Sequence, residues 1–431
     1  MKKIVVIVLA LVLLSPVIAS IGTTQPAAGE VLQSDKERIS SPDASADEQA
    51  LLVEGNSAFA FALYQALKRE EGNLFYSPYS ISLALAMTYA GARGETAQQM
   101  ADTLQFLLGQ ERLHPAFNWL DAELAKRGEG AQGKDGEGFR LNVVNAIWGQ
   151  RDYEFLSEFL DVLAENYGAG LRILDFINEA EECRVTINDW VSNQTEGRIE
   201  DLIPQGAISE LTRLVLTNAI YFNAAWKYPF DEGVTSDGQF YLLDGGQVTV
   251  PMMMQTESFG YTKGEGYQAV ELLYDGDELS MVILLPEDGN LEAFEETLNA
   301  EQVDTITSGL QNTRVLLTMP RFEFESQFSL NDTLSNMGMP IAFSPYEADF
   351  SGMNGGLGTE RLFISDVVHK AFVAVDEAGT EAAAATAVIM SLAAVPEPPV
   401  EVTIDRPFVF LIRDIETGAI LFVGRVLNPS T

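Results

Sequence analysis

A run of small residues between positions 377 and 399 restricts the fold of this chain more than any other stretch. It reads EAGTEAAAATAVIMSLAAVPEPP, with four consecutive alanines at 382–385. Alanine favours helix, yet the prolines at 396, 398 and 399 prevent a helix from continuing. In steps of two from Thr380, one face is small and then apolar, whereas the other face begins with Glu381. The segment therefore suits an exposed loop in one state and a strand of a sheet in another.

The first fifty residues predict export and a flexible linker. Two lysines after Met1 precede an apolar run at 4–14, and small residues follow at Ala19 and Ser20. This order is typical of a signal peptide cleaved near Ala19, and the apolar run is too short to span a bilayer easily. An uncleaved membrane anchor is the alternative. Residues 20–50 are polar without an apolar period, which predicts a flexible linker. We therefore expect a secreted or extracytoplasmic protein.

Residues 51–431 are predicted to form a single domain, because no interior linker divides them. The glycine-rich stretch at 127–138 is too short to separate domains. The chain has one cysteine, Cys183, so no internal disulfide can form and the core must stabilise the fold. With 47% hydrophobic residues, the chain has enough apolar material for that core.

The formal net charge of -37 restricts the possible partners. Such a surface repels polyphosphates and polyanionic glycans. We therefore expect no nucleic acid partner. The segment AELAKRGEG before the glycine-rich stretch is not a basic helix, which argues against activation by heparin-like polymers.

The hydrophobic pattern predicts helices in the first half and strands in the second. This order favours an α+β fold with large antiparallel or mixed sheets. Helical patterns cover 51–70, 80–90, 95–108, 183–195 and 291–298. Strand patterns cover 140–148, 214–222, 247–254, 267–273, 279–285, 315–324, 371–376, 401–404, 408–414 and 420–426.

Residues for catalysis are missing from the sequence. The chain has two histidines, His114 and His369, too few for a typical zinc site. It has neither a Gly-x-Ser-x-Gly motif nor a phosphate-binding loop. Cys183 lies in a predicted helix beside two glutamates, a setting that favours an inert thiol. We predict that the protein is not an enzyme and needs no metal or cofactor.

Several motifs occur in one order along the chain and together resemble the serpin family. VTIDRPFVFLI at 402–412 resembles the family signature, and LFVGRVLNPS at 421–430 is similar to the strand and tail that close the fold. The other motifs are NLFYSPYSISLALAMTYAGARGET at 73–96, TNAIYFNAAWKYPF at 217–230, VPMMM at 250–254 and HKAFVAVDEAGTEAAAAT at 369–386.

The resemblance implies a domain of about nine helices and three β-sheets, with a reactive-centre loop at about 377–399. In inhibitory members a protease cleaves this loop, and the freed segment inserts into the central sheet and traps the acyl-enzyme. Glu377 matches the hinge glutamate, seventeen residues before the scissile bond, which places cleavage between Ala393 and Ala394. Cleavage between Leu392 and Ala393 is the alternative.

The resemblance also implies roles for two groups of residues. A mobile hinge needs backbone freedom and small side chains, and a second group controls the opening of the sheet. We expect Thr380 to turn inward as the first step of insertion, and Glu377 to pair with Arg321. The hinge residues are Glu377, Gly379, Thr380, Glu381, Ala382, Ala383, Ala384 and Ala385. Sheet opening is assigned to Ser77, Ser80, Asn218, His369, Trp226 and Arg321.

The sequence therefore predicts a secreted, monomeric suicide inhibitor of serine proteases. Ala393 suits the shallow apolar pocket of an elastase-like protease, and Leu392 would suit a chymotrypsin-like one. The alternative is a non-inhibitory serpin that acts as a binding or chaperone protein. Bulky, charged or proline residues at 380–386 would favour that alternative, and the hinge has only Glu381.

Overall fold

The computed structural model describes residues 29–128, 131, 140–356, 361–380 and 398–430. These residues form ten α-helices and two short 3-10 helices around two hydrogen-bonded sheets, which confirms the α+β class. The helices are α1 (Ala46–Leu67), α2 (Pro78–Tyr89), α3 (Gly94–Leu104), α4 (Gln110–Leu124), α5 (Ser157–Tyr167), α6 (Phe176–Gln194), α7 (Leu291–Thr297), α8 (Ala300–Ser308), α9 (Asn331–Met337) and α10 (Ser351–Asn354), with 3-10 turns at Glu232–Val234 and Pro340–Phe343.

Consecutive strands along the chain fall into the two sheets mostly in groups. They are β1 (Glu30–Leu32), β2 (Leu74–Tyr76), β3 (Arg140–Gln150), β4 (Leu171–Leu174), β5 (Leu214–Ala225), β6 (Ser236–Tyr241), β7 (Gln247–Gly264), β8 (Tyr267–Leu273), β9 (Leu279–Pro286), β10 (Gln311–Pro320), β11 (Phe322–Ser329), β12 (Ile364–Val375), β13 (Gly379–Thr380), β14 (Val400–Thr403), β15 (Phe408–Asp414) and β16 (Ile420–Val426). Strands β3–β5 and β11–β13 lie in one sheet, and β6–β10 and β14–β16 lie in the other.

The central sheet has seven strands in the order β1-β4-β3-β5-β13-β12-β11. Strands β5 and β12 are parallel and pair directly from Leu214 with Ile364 to Tyr221 with Phe372. Beyond this pairing they diverge, and the two residues of β13 lie between their ends. The sheet is therefore closed along most of the junction and parted at one end.

The second sheet has nine strands in the order β14-β10-β7-β8-β9-β15-β16-β2, with β6 paired to β7. The resemblance implied three sheets in total, whereas the described residues form two. The difference arises because β7 is a single strand of eighteen residues that pairs with β6 near its start and with β8 at its end. One continuous ladder thus joins two groups of strands.

Strand β5 is buried on both faces, as expected for the middle of a large sheet. Its even-numbered residues, such as Leu216 and Phe222, join the main core between the sheets and the helices of the first half. Its odd-numbered residues, such as Val215 and Ala219, join a second cluster beneath α6. Asn218 is even-numbered and therefore faces the main core. Its amide is directed into an apolar interior and needs polar partners there.

The prediction of a flexible linker is wrong for residues 29–50. Strand β1 pairs antiparallel with β4 at the edge of the central sheet, and Ser45 caps α1 through a reciprocal bond with Glu48. The Arg38 guanidinium donates to Asn118 at 2.8 Å and to Asp121 at 2.6 Å. These partners lie in helix α4, eighty residues away, so local composition carries no sign of them. Residues 1–28, which include the predicted signal peptide, lie outside the described residues.

The strand predicted over 315–324 is two strands in different sheets. Strand β10 ends at Pro320 and β11 begins at Phe322, with Arg321 between them. Proline removes a ladder hydrogen bond, and the Arg321 N–H donates to the Pro251 carbonyl at 3.0 Å. The predicted bounds match the observed ones for β8, β15 and β16.

None of the helices in the described part of the chain is both long enough and apolar enough to cross a membrane.

Candidate functional site: the hinge and the junction of the central sheet

The first residues of the predicted loop form a strand of the central sheet. Gly379 pairs with Ala225 of β5, and Thr380 pairs with both Ala224 of β5 and Val375 of β12. The described part of the loop's start therefore ends inside the sheet, at Thr380. The described chain resumes at Pro398 and enters β14 at Val400.

Thr380 is fully buried, with no solvent-exposed surface. Its hydroxyl lies 2.9 Å from the Tyr274 hydroxyl. The expectation that Thr380 first turns inward on insertion is therefore wrong, because this side chain already lies between the two strands. A threonine suits the position because it is small and satisfies the buried Tyr274 hydroxyl.

Gly379 is required by close packing of backbones. A Cβ atom on this residue would lie 2.1 Å from the Ala224 carbonyl oxygen and 2.7 Å from the Ala225 Cα. Gly379 is not among the glycines of positive φ, so the sequence-based argument from backbone freedom does not explain it. Any side chain here would push β13 away from β5.

Trp226 holds the turn that precedes β13. Its indole N–H donates to the Asp376 carbonyl at 3.0 Å, and its backbone N–H donates to the Ala378 carbonyl at 2.8 Å. The indole stacks on Tyr274 with ring centroids 4.6 Å apart and an angle of 11° between the planes. Trp226 thus contacts both the turn and Tyr274, the partner of Thr380.

Glu377 is anchored by two side chains. Its carboxylate lies 2.5 Å from an Arg321 guanidinium nitrogen and accepts a hydrogen bond from the Thr235 hydroxyl at 2.5 Å. Burial by itself would raise the pKa of Glu377, but the bonds from Arg321 and Thr235 outweigh it and hold the pKa below its ordinary value. The hinge therefore begins at a charged, fixed residue.

Sequence reasoning missed Asp376. Its carboxylate accepts from the N–H groups of Ala378 at 2.8 Å and Gly379 at 3.2 Å, which closes a tight turn before β13. Burial raises the pKa of Asp376 above its ordinary value. An aspartate two residues before an Ala-Gly pair is a recognisable turn signal that could have identified it.

Four of the six predicted sheet-opening residues, Ser77, Ser80, Asn218 and His369, lie together beneath the junction of β5 and β12, whereas Trp226 and Arg321 contact the hinge. His369 and Asn218 are paired across the two strands, and the His369 Nδ1 contacts the Asn218 Oδ1. The Asn218 amide donates to the Ser80 hydroxyl at 2.5 Å. The Ser77 N–H donates to the His369 Nε2 at 3.3 Å. Polar groups of helix α2 therefore bridge the two strands.

Asn145 of β3 completes this cluster and was not predicted. Its amide donates to the Ser80 carbonyl at 3.1 Å, and its carbonyl oxygen accepts from the amide of Asn218 and, at 3.2 Å, from the Ser80 hydroxyl. It is a polar residue inside the apolar strand pattern RLNVVNAIW, and that interruption was the available signal. Separating β12 from β5 would break the His369 bond to Asn218 and leave the contacts of Asn145 in place.

The pH dependence of stability is expected to report on His369. Burial lowers the pKa of His369 from 6.5 to about 3, so the unfolded chain binds a proton between these values and the native chain does not. Stability should therefore fall as the pH drops below 6.5, by about 3 kcal/mol at pH 4.5 from this residue. Urea unfolding at pH 7.0, 5.5 and 4.5 measures the loss.

His114 needs a matched control, because burial also lowers its pKa, to about 4. In a His114→Phe background, the remaining loss should shrink when His369→Asn is added. An equal loss in both chains would contradict a neutral buried His369 as its source.

Part of the predicted site lies outside the described residues. These calls are the hinge residues Glu381, Ala382, Ala383, Ala384 and Ala385, the scissile pair Ala393 and Ala394, and the alternative bait Leu392.

Two further groups of side chains bear on the predictions from the sequence, namely possible metal ligands and the single cysteine. Within those ranges no three His, Cys, Asp or Glu residues are grouped so that they could hold a metal. Cys183 is buried, and burial raises the pKa of its thiol to about 11, so the thiolate is scarce at neutral pH.

The fold and the site define a class of α+β protein. In this class the predicted loop begins as a short strand between two diverging strands of the central sheet. The chain belongs to the serpin family. The family model described as Serpin (serine protease inhibitor) matches residues 54–429.

Named relatives and solved structures agree with this family. An uncharacterized serpin-like protein of Thermococcus kodakarensis is 41% identical over 88% of this chain and 86% of its own length. The leukocyte elastase inhibitor of Homo sapiens is 41% identical over 88% of this chain and 99% of its own. The native state of tengpin, a thermophilic serpin, superposes with a TM-score of 0.79 at 27% identity, covering 92% and 97% of the two chains.

Proposed function

We propose that the protein is a suicide inhibitor of serine proteases, exported from the cell and acting as a monomer. The observation that supports this most is the position of β13 between the diverging ends of β5 and β12. A strand that continues from Thr380 along this junction would extend β13 between the two strands. Relatives at 41% identity are named as elastase inhibitors.

The proposed reaction begins when the protease serine attacks the carbonyl carbon of Ala393. The peptide bond to Ala394 breaks, the new amine leaves with Ala394, and the acyl group remains on the protease. The freed segment that starts at Glu381 then extends β13 between β5 and β12 and carries the acyl-enzyme with it. Insertion is proposed to distort the protease before water can release the acyl group.

The described residues have distinct proposed roles in this step. Glu377, held by Arg321 and Thr235, keeps the start of the hinge in place. The bond between His369 and Asn218 joins β12 to β5 and must open as the segment advances. Ser77, Ser80 and Trp226 support the two strands on either side of that opening.

Target choice is proposed to depend on the residue before the scissile bond. Ala393 fits an elastase-like pocket, which is shallow and apolar and excludes large or charged side chains. Cleavage after Leu392 instead would indicate a chymotrypsin-like target. The proposal needs no cofactor, metal, heparin or nucleic acid.

The decisive experiment is incubation with elastase-like, chymotrypsin-like and trypsin-like proteases, followed by denaturing gel electrophoresis. We expect a band near the summed masses with the elastase-like protease. Ala393→Arg should transfer this band to the trypsin-like protease, whose pocket carries a buried acid, and lower elastase inhibition by at least about 100-fold.

Ala393→Val is the matched control, because it keeps a small apolar residue before the scissile bond and should retain the band with the elastase-like protease. Cleavage of the wild-type loop by all proteases without a stable band would support a non-inhibitory serpin and contradict the proposal. Unchanged elastase inhibition by Ala393→Arg would place the scissile bond elsewhere.

A further inference from the structure

Exposed apolar side chains concentrate near the two ends of the loop. Of the fourteen large apolar residues that are most exposed in the described part of the chain, five lie between residues 228 and 254. We call these five residues the loop-side patch: Tyr228, Val234, Tyr241, Leu243 and Met254. Exposed apolar side chains grouped on neighbouring elements mark an interaction site more often than a single exposed residue does.

Two residues of the loop-side patch lie beside the hinge. Val234 precedes Thr235, whose hydroxyl binds Glu377. Tyr228 follows Trp226 by two residues, and its carbonyl accepts from the Gln255 side chain at 3.0 Å, next to Met254. The patch is thus continuous with the residues from which the loop departs.

The other three residues lie beside the strand by which the loop returns. Met254 pairs with Thr318 of β10, which pairs with Thr403 of β14. At two strand spacings, Met254 is about 10 Å from β14. The Tyr241 N–H donates to the Asp405 carbonyl at 2.8 Å, and Leu243 lies in the adjoining turn between β6 and β7.

Most charges around the loop-side patch are negative. The exception is Lys227, whose ammonium lies 5.5 Å from the Tyr228 ring centroid and is paired with Asp277 at 2.7 Å. Residues 228–262 include five acidic residues and no lysine or arginine, and residues 371–405 likewise contain no lysine or arginine. The acidic residues of the first segment are Asp231, Glu232, Asp237, Asp244 and Glu257, and all five are exposed. A complementary partner therefore presents an apolar area bordered by basic residues.

We infer that the loop-side patch is a second contact surface for the target protease, and that this protease is cationic there. The inference rests on the proposed function, because the protease is the molecule that the loop brings to this end of the chain. A second copy of this chain does not fit as the occupant, since it would bring acidic surface against acidic surface. The patch and the loop would share one partner, and the patch would increase the rate of capture.

The test compares matched double variants of the full chain. Tyr241→Ser with Leu243→Ser removes two exposed side chains from the patch. Leu211→Ser with Tyr346→Ser removes the same residue types elsewhere, at 68% and 85% exposure. Leu211 precedes the opposite end of β5, and the strand from Leu214 to Ala224 alone spans about 33 Å.

The readout is the second-order rate constant for complex formation with the elastase-like protease that the wild-type chain traps. The patch variant should react about tenfold more slowly at an unchanged stoichiometry of inhibition, and the control variant should match the wild type. Equal melting temperatures of the three intact chains show that folding is unaffected. Equal rates for the two variants would overturn the inference.

Charge is tested in the same way. Asp237→Asn with Asp244→Asn should slow capture several-fold at low salt and approach the wild-type rate at high salt, because exposed charges are screened. Asp152→Asn with Asp189→Asn changes the net charge equally at distant exposed positions and should leave the rate unchanged. Equal slowing by both double variants would assign the effect to net charge and overturn the inference of a local contact with the protease.

Two outcomes separate this inference from the proposed function. A wild-type chain that traps no protease contradicts the proposed function itself. A chain that traps normally but forms a dimer abolished by the patch variant, as seen in sedimentation, contradicts only the assignment of the patch to the protease.

Discussion

Cleavage of the loop at Ala393 is expected to raise the melting temperature of the protein by on the order of 20 °C. In the intact chain β5 and β12 pair directly and in parallel over most of their length. Insertion replaces this single pairing with two antiparallel ones, so each added residue gains ladder bonds on both sides. Each net bond contributes about 1 kcal/mol.

The register of the inserted strand follows from Thr380. Its side chain faces Tyr274 in the interior, and successive side chains of a strand point to opposite faces. The inward positions would therefore be 382, 384, 386, 388, 390 and 392, which are small first and apolar later. The outward face begins with Glu381, so no charge enters the core during insertion.

Calorimetry of intact chain and of chain nicked by a protease that cleaves between residues 387 and 394 measures the difference. The control is the same chain nicked in the presence of excess synthetic peptide of residues 380–393, which competes for the junction. Equal melting temperatures for intact and nicked protein would contradict insertion and favour the non-inhibitory alternative.

Thr380→Arg is expected to convert the protein from an inhibitor into a substrate. The position is fully buried between β5 and β12, and an unpaired guanidinium there costs at least several kcal/mol. The variant should exclude residue 380 from the sheet, so insertion loses its preformed start. The loop is still cleaved, and the acyl-enzyme then hydrolyses before the segment inserts.

Thr380→Val is the matched control, because valine has the same shape and lacks only the hydroxyl that meets Tyr274. It should retain the stable complex, whereas Thr380→Arg should show cleaved chain, active protease and a stoichiometry of inhibition raised at least about tenfold. The intact Thr380→Arg chain should melt only slightly lower, because residues 379 and 380 can leave the end of the sheet. A full yield of complex from Thr380→Arg would contradict initiation at β13.

The sequence by itself determined the class of the fold and the order of its main elements. Local patterns were sufficient for strands such as β8, β15 and β16, since short apolar runs bounded by turns depend on neighbours in the chain. Resemblance in six motifs was sufficient for the family, which the family model and the named relatives confirm. The prediction against polyanionic partners also needed only the composition, because it rests on the negative net charge.

Tertiary structure alone decided the state of the hinge and the extent of the folded N-terminal region. Thr380 is buried because β5 and β12 diverge beside it, and no local pattern records how far two strands 150 residues apart remain paired. Residues 29–50 are ordered by polar contacts and edge pairing with distant elements, although their composition resembles that of a linker. The glycine at 379 is needed for the approach of two backbones, and Asn145 joins the cluster at His369 through Asn218. These features depend on which distant groups meet, and only the packed structure determines that.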